Sequence, residues 1–291
     1  MKPASAGSPS CQFGHSRSLR RPGHIGWLAA MVIMGVLNVT PDSFYDGGRW
    51  YDRDAAVAHG LEMAREGADV VDVGGESTRP GAAPVEEAEE LRRVVPVVSE
   101  LAQSLAGRAR LSVDTRKRCV AEAALEAGAS IINDVSAKLW PVAAAAGAGW
   151  VAMHIRGVPA DMMSRAHYRD VVGEVSAYLV EKAEQAAAGG VKEIWVDPGI
   201  GFAKTAEHNL TVLARLRELV ATGWPVAVGV SRKRFTGSVV SGSQDSPAPA
   251  ADRLEASLAA AVWAMVCGVS MVRVHDVGAT VQAAKLVGST L

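Results

Sequence analysis

The segment Asp69-Val70-Val71-Asp72-Val73-Gly74-Gly75-Glu76-Ser77-Thr78 decides the architecture. Its valine-rich first half lacks the strict alternation of a strand with one wet face. A short run of this kind is a strand covered on both sides, the habit of parallel sheets. The run then breaks at two glycines into Glu, Ser and Thr, which is loop chemistry. An interior strand that empties into a polar loop belongs to the α/β folds, where such loops collect on one rim.

The same unit repeats in both directions. Comparable runs occupy residues 32–37, 69–74, 111–114, 130–133, 150–154, 194–197, 225–229 and 271–275. Between them lie segments rich in Ala, Leu and Glu with helical periodicity, at 53–66, 84–105, 117–127, 142–146, 168–188, 206–220, 251–267 and 279–287. Strand-helix alternation implies right-handed crossovers and a parallel sheet. Eight such units favour a closed (β/α)8 TIM barrel over an open doubly wound sheet, and 291 residues suit one barrel. The barrel is expected over 31–291, preceded by a weakly ordered extension over 1–30. Residues 238–251, rich in Ser, Pro, Gly and Ala, read as a mobile loop after the seventh strand.

Composition narrows the function classes. Thirty basic and 31 acidic residues leave a formal net charge of −1, which gives no reason to expect a nucleic-acid partner. The three cysteines, Cys11, Cys119 and Cys267, have neither CxxC nor zinc-type spacing and suit a reducing cytoplasm. The basic stretch before the apolar run 25–37 resembles a secretion signal, but that run merges into the first strand and is too short to span a bilayer. A leader, or an upstream start codon with Met31 as the natural start, fits better, and no membrane association is expected.

Active sites of such barrels sit at the C-terminal ends of the strands. There the chain delivers Asn38, then Thr78 and Arg79, Asp114, Asn133, Met153 with His154, Asp197, Ser231 with Arg232 and Lys233, and Arg273 with His275. A lone Asp at a strand end is more often a helix cap than a chemical group. Eight polar strand ends on one rim are harder to explain that way, because charges entering a barrel mouth are costly unless a ligand answers them. Asp114, Asn133 and Asp197 are acceptor-rich and suit a flat heterocycle carrying N–H donors. Asn38, Arg273 and His275 suit an anion. No Walker A or GxGxxG sequence is present, nor a thiol at a strand end, so nucleophilic catalysis by the protein is not expected.

Two long motifs carry a resemblance. Met34-Gly35-Val36-Leu37-Asn38-Val39-Thr40-Pro41-Asp42-Ser43-Phe44 with Asp46-Gly47-Gly48, and Val71 through Gly81, resemble the signatures of dihydropteroate synthases, most of all actinobacterial ones. Ser112-Val113-Asp114-Thr115, Ile132-Asn133-Asp134, Met153-His154, Asp197-Pro198-Gly199-Ile200-Gly201-Phe202, Ser231-Arg232-Lys233 and Arg273-Val274-His275-Asp276 follow in the family's order. The resemblance implies condensation of a dihydropterin pyrophosphate with p-aminobenzoate by an SN1-like path, in a homodimer built through the last helices. It implies that Asp114, Asn133, Met153, Asp197 and Lys233 hold the pterin. Asn38, Arg273 and His275 would hold the pyrophosphate, with Mg2+ beside Asn38 and with Asp46 helping to order metal and leaving group. Phe44, Thr78, Arg79, Pro80, Phe202, Ser231 and Lys233 would shape the p-aminobenzoate pocket.

Departures from the family pattern are specific. Val135-Ser136-Ala137-Lys138-Leu139-Trp140-Pro141 replaces the usual glycine pair and Asp-Pro, and the segment up to Met153 is short. Ala203 stands where many members have glycine, Thr236 where an aliphatic residue is usual, and no hairpin to plug the barrel bottom is evident in 1–31. Altered sulfonamide sensitivity is one expectation from these changes. Two rival functions remain at this stage: a pterin-dependent methyltransferase, which needs no pyrophosphate set, and an inactive pterin-binding paralogue.

Overall fold

The computed structural model describes residues 31–40, 53–78 and 81–290. The proposed extension over 1–30, and Phe44, Asp46, Arg79 and Pro80 of the proposed site, lie outside the described residues. The apolar runs become β1 (Val32–Asn38), β2 (Val70–Gly74), β3 (Arg110–Asp114), β4 (Ile131–Asp134), β5 (Gly149–Met153), β6 (Ile194–Asp197), β7 (Ala227–Gly229) and β8 (Met271–Val274). All pair in parallel, in the order β6-β5-β4-β3-β2-β1-β8-β7. The two ends of this sheet meet at one bridge, Val196 to Val226, where the Val196 N–H donates to the Pro225 carbonyl at 2.9 Å. β7 starts later than its apolar run because Pro225 has no N–H to extend the ladder.

Ten helices are seen among the described residues: α1 (Arg53–Glu66), α2 (Glu87–Leu105), α3 (Arg118–Glu126), α4 (Trp140–Ala146), α5 (Val171–Ala188), α6 (Ala206–Ala214), α7 (Leu216–Val220), α8 (Arg234–Ser241), α9 (Leu254–Val266) and α10 (Val277–Thr290). Two expectations need correction. The single helix over 206–220 breaks at Arg215, whose backbone leaves the helical region while its guanidinium spans Asp170 and Glu218 at 2.8 and 2.7 Å. The first part of the loop over 238–251 is helical, as the end of α8. Its Gly and Ser content signalled a loop, but tertiary contact overrides propensity there. The Gly237 carbonyl accepts the Ala248 N–H at 3.0 Å, and a Cβ on Gly237 would lie 2.5 Å from the Arg253 Nε.

The main core lies between the outside of the barrel and its helices. A smaller cluster fills the barrel interior: Met34, Val70, Ile131, Val151, Trp195, Ala227 and Met271. Side chains in a strand return to the same face every second residue. Two residues beyond this apolar plug, the inward positions are therefore Asp72, Asn133, Met153, Asp197, Gly229 and Arg273. The sequence switches from apolar to polar within one period on several strands, and that switch makes a floor.

Candidate active site

The floor is tied together by one guanidinium. Arg273 donates from Nε to Asp72 Oδ2 and from Nη2 to Asp114 Oδ2, both at 2.7 Å. Asn133 Nδ2 donates to the same Asp72 oxygen at 2.9 Å. The remaining oxygens, Asp72 Oδ1 and Asp114 Oδ1, are buried without a hydrogen-bond partner among the described residues, as is Ser112 Oγ, level with Asp72 on β3. Buried acceptors are rarely left unmatched, and of these residues Asp114 borders a cavity, so its free oxygen marks a place for a donor from a ligand. Asp197, on the opposite side, accepts the Gly199 N–H on Oδ1 at 2.7 Å.

Above this floor opens a cavity. Thr78, Asp114, Asn133, Met153, Asp197, Phe202, Lys233 and Arg273 all border it. The structure thus brings together eight of the residues singled out in the sequence. Lys233 sets its Nζ 4.2 Å from the centre of the Phe202 ring, a cation–π contact that joins two walls. Val135 and Ile200 supply apolar lining. Asn38 stands at the end of β1, level with Gly74, and His275 follows β8; both sit on the rim rather than in the wall.

Electrostatics follow from burial and from an excess of acid. Burial lifts Asp114 to about 7; Arg273 opposes the rise, and Asp72 adds to it. Asp197 is also raised by burial, with Lys233 and Arg273 opposing. Burial works against the charge of Arg273, but Asp72 and Asp114 outweigh it and hold that pKa above its ordinary value. His275 is pushed down to about 3, first by burial and then by Arg273 and Arg232, so its imidazole is neutral at pH 7. Ser231 Oγ accepts the His275 backbone N–H at 3.2 Å and lies 3.0 Å from its Nδ1. With the hydroxyl proton on that Nδ1 contact, the ring carries its hydrogen on Nε2, facing away from Ser231.

The loops are anchored by groups that the strand-end survey passed over. Glu76, just before Thr78, pairs with Arg116 at 2.8 Å and with Lys117; Lys117 also reaches the fully buried Glu90, which accepts the Thr115 hydroxyl at 2.6 Å. Arg93 donates to the Gly75 carbonyl at 2.9 Å. Downstream of the undescribed pair 79–80, the Gly81 N–H meets the Pro159 carbonyl at 3.1 Å. Asp134 is no substrate group. Its carboxylate accepts Ser136 N, Ser136 Oγ, Lys138 N, Leu139 N and Trp150 Nε1. It folds the shortened connection into a turn that leads to α4. Asp72 was visible in the sequence without a role; the signal was an acid at the inward spacing from Val70.

Comparison with known proteins adds the following. The family described as pterin binding enzyme matches residues 34–275. The dihydropteroate synthase of Mycobacterium leprae is 49% identical over 272 residues, covering 91% of this chain and 95% of its own. The Xanthomonas albilineans dihydropteroate synthase structure with 4-aminobenzoic acid is 43% identical, with a TM-score of 0.82 and coverage of 90% and 94%. That of Yersinia pestis with a sulfonamide drug is 40% identical, with a TM-score of 0.83 and coverage of 94% and 98%.

Proposed function

Because the chain belongs to the dihydropteroate synthase family of pterin-binding enzymes, we infer how its own residues divide the work. Its reaction joins 6-hydroxymethyl-7,8-dihydropterin pyrophosphate to p-aminobenzoate and yields 7,8-dihydropteroate and pyrophosphate. The observation that carries the assignment of roles is the floor, with the unmatched Asp114 Oδ1 at the cavity and Asp197 across from it. Amino and ring N–H groups of a pterin are the donors such a floor calls for. Asp114, Asn133, Asp197 and Lys233 hold the ring in this reading, and Met153 packs near it.

The floor also favours the chemistry. Bond breaking sends the C–O electron pair to pyrophosphate and leaves positive charge on the pterin methylene. Two acids of the cavity, Asp114 and Asp197, lie near that charge with Asp72 buried behind them, and Arg273 and Lys233 are the nearby cations. The arylamine nitrogen then forms the new N–C bond and gives up a proton. It is neutral at pH 7 and needs no strong base, which agrees with a His275 that holds no proton-accepting power near neutrality. His275 offers an Nε2–H to the departing phosphate oxygens, and Arg273 Nη1, which makes no bond among the described residues, offers a second donor. Phe202, Thr78, Ser231 and Lys233 shape the p-aminobenzoate side, together with Phe44, Arg79 and Pro80.

Magnesium fits as a companion of the substrate. Among the described residues no group of three or more His, Cys, Asp or Glu is placed to hold a metal. Asn38 offers a single neutral oxygen on the rim. Mg2+ commonly keeps several waters and binds through substrate phosphates with only one or two protein oxygens. Asn38 and Asp46 would be that share, and the ion would neutralise charge on the leaving pyrophosphate. A homodimer is supported by apolar side chains that α9 and α10 leave exposed, Trp263, Val266 and Leu286. No described helix is long and apolar enough to cross a membrane, and a cytoplasmic location fits the sparse cysteines.

Pyrophosphate release tests the reading. With Mg2+ and both substrates present, it is expected together with an equal amount of 7,8-dihydropteroate. No release, or release that yields no dihydropteroate when p-aminobenzoate is present, would overturn it. Methyltransfer and inactivity find no support in the relatives described above.

A further inference from the structure

The segment between Asp197 and α6 carries both a floor acid and the Phe202 wall, yet it is not regular structure. It turns through Gly199 (φ 67°), Gly201 (φ 82°) and Ala203 (φ 48°). Left-handed backbone is natural for glycine and strained for alanine. A Cβ on Gly199 would sit 2.0 Å from the His154 carbonyl oxygen, so the segment is pressed against the end of β5. Something must hold three such turns in place.

The structure supplies a buried cation. Lys204 is 2% exposed, and its Nζ lies 3.2 Å from the Gly199 carbonyl, 3.1 Å from the Phe202 carbonyl and 3.0 Å from His154 Nδ1. An ammonium has three hydrogens, and here each finds one acceptor. His154 can serve as an acceptor because burial, and then Lys204 itself, push it down to about 3. Its ring stands edge-on to Tyr178, with centroids 5.1 Å apart, so its position is fixed from behind. Tyr168 donates its hydroxyl to the carbonyl of the strained Ala203 at 3.0 Å. Asn209 receives the Gly201 N–H at 2.7 Å.

Lysine is an uncommon choice for a position this deep. Taking an ammonium out of water is costly, and a hydrophobic side chain of similar length would avoid the cost. Burial pulls Lys204 down to about 7, while Asp197 favours the charged form. A residue wanted only as filler would not bring an amine into reach of three acceptors. The two carbonyls it gathers flank the residues that the site uses: the Gly199 N–H caps Asp197, and the Phe202 carbonyl belongs to the ring under Lys233.

We propose that Lys204, together with its acceptor His154, is a positioning pair for the condensation, setting residues 197–204 so that Asp197 and Phe202 meet the two substrates in register. Lys204 touches neither substrate. The proposal rests on the assignment of the pterin to the floor and of p-aminobenzoate to the Phe202 wall.

Two variants test it. Lys204→Met keeps the stem and removes the donors; His154→Phe keeps a ring against Tyr178 and removes one acceptor. For K204M, kcat/KM for p-aminobenzoate is expected to fall by about tenfold or more, and pterin affinity by about threefold or more, in protein still folded at the assay temperature. H154F should move both constants the same way by a smaller factor, about threefold. Kinetic constants within about twofold of the parent enzyme in K204M would overturn the proposal, as would a loss of kcat alone in step with a lowered Tm. Should K204M not fold, H154F decides by the same criterion. A pterin affinity unaffected by Asp197→Ala would instead sink the assignment of the floor, which separates the two failures.

Discussion

At the scale of single residues, Asp114 is the most informative group. Three buried carboxylates crowd a floor with Arg273 as its central cation, and burial lifts Asp114 to about 7. Near neutrality it is therefore only partly charged before substrate arrives. If, as proposed, Asp114 accepts pterin N–H donors, these favour its charged form, and binding draws its pKa down. Affinity is then fully present above about 7 and falls as pH drops through that value. Titrating pterin binding from about pH 5.5 to 8.5 should show this slope, and Asp114→Asn should flatten it; an affinity constant across the range would contradict it. Asp197→Ala removes an acceptor from the opposite side and is expected to weaken pterin binding by at least about tenfold. Arg273→Ala should fall chiefly on the pyrophosphate substrate while also freeing Asp72 and Asp114 from their pairing.

At the scale of elements, the strands were legible and several of their companions were not. Runs such as 69–74 are apolar because both faces are covered, and that pattern survives without any tertiary knowledge. Asp114, Asn133 and Asp197 could be singled out because each stands at the end of a strand; that they point inward follows from the period of two. Asp72 obeys the period equally but lies before its strand's end, so the strand ends alone do not point to it. Lys204 and Glu90 were beyond reach for another reason: their partners, His154 and Lys117, are distant in sequence. Residues 238–241, the end of α8, fell inside the expected loop because that segment is rich in Ser, Pro, Gly and Ala, while the turn before them is held by a close approach at Gly237. The shortened fourth connection has a physical account in Asp134. Asp134→Ala would leave Trp150 Nε1 and the N–H groups of Ser136, Lys138 and Leu139 without their acceptor. A loss of roughly 3 kcal/mol or more is expected in urea unfolding; a loss under ~1 kcal/mol would mean that the turn holds itself.

At the scale of the whole molecule, seven of the eight joints between neighbouring strands are ladders, while the eighth, between β6 and β7, rests on a single bridge. A cask of this kind breathes where two staves are barely hooped. Those two staves carry Asp197 on one side and the turn bearing Lys233 on the other. A pterin held by both residues would clasp the loose joint from above. Amide exchange should then be fastest along Ile194–Asp197 and Ala227–Gly229 in the empty protein, and pterin should slow it there more than in β2 or β3. Substrate, on this view, is the last hoop of the barrel that holds it.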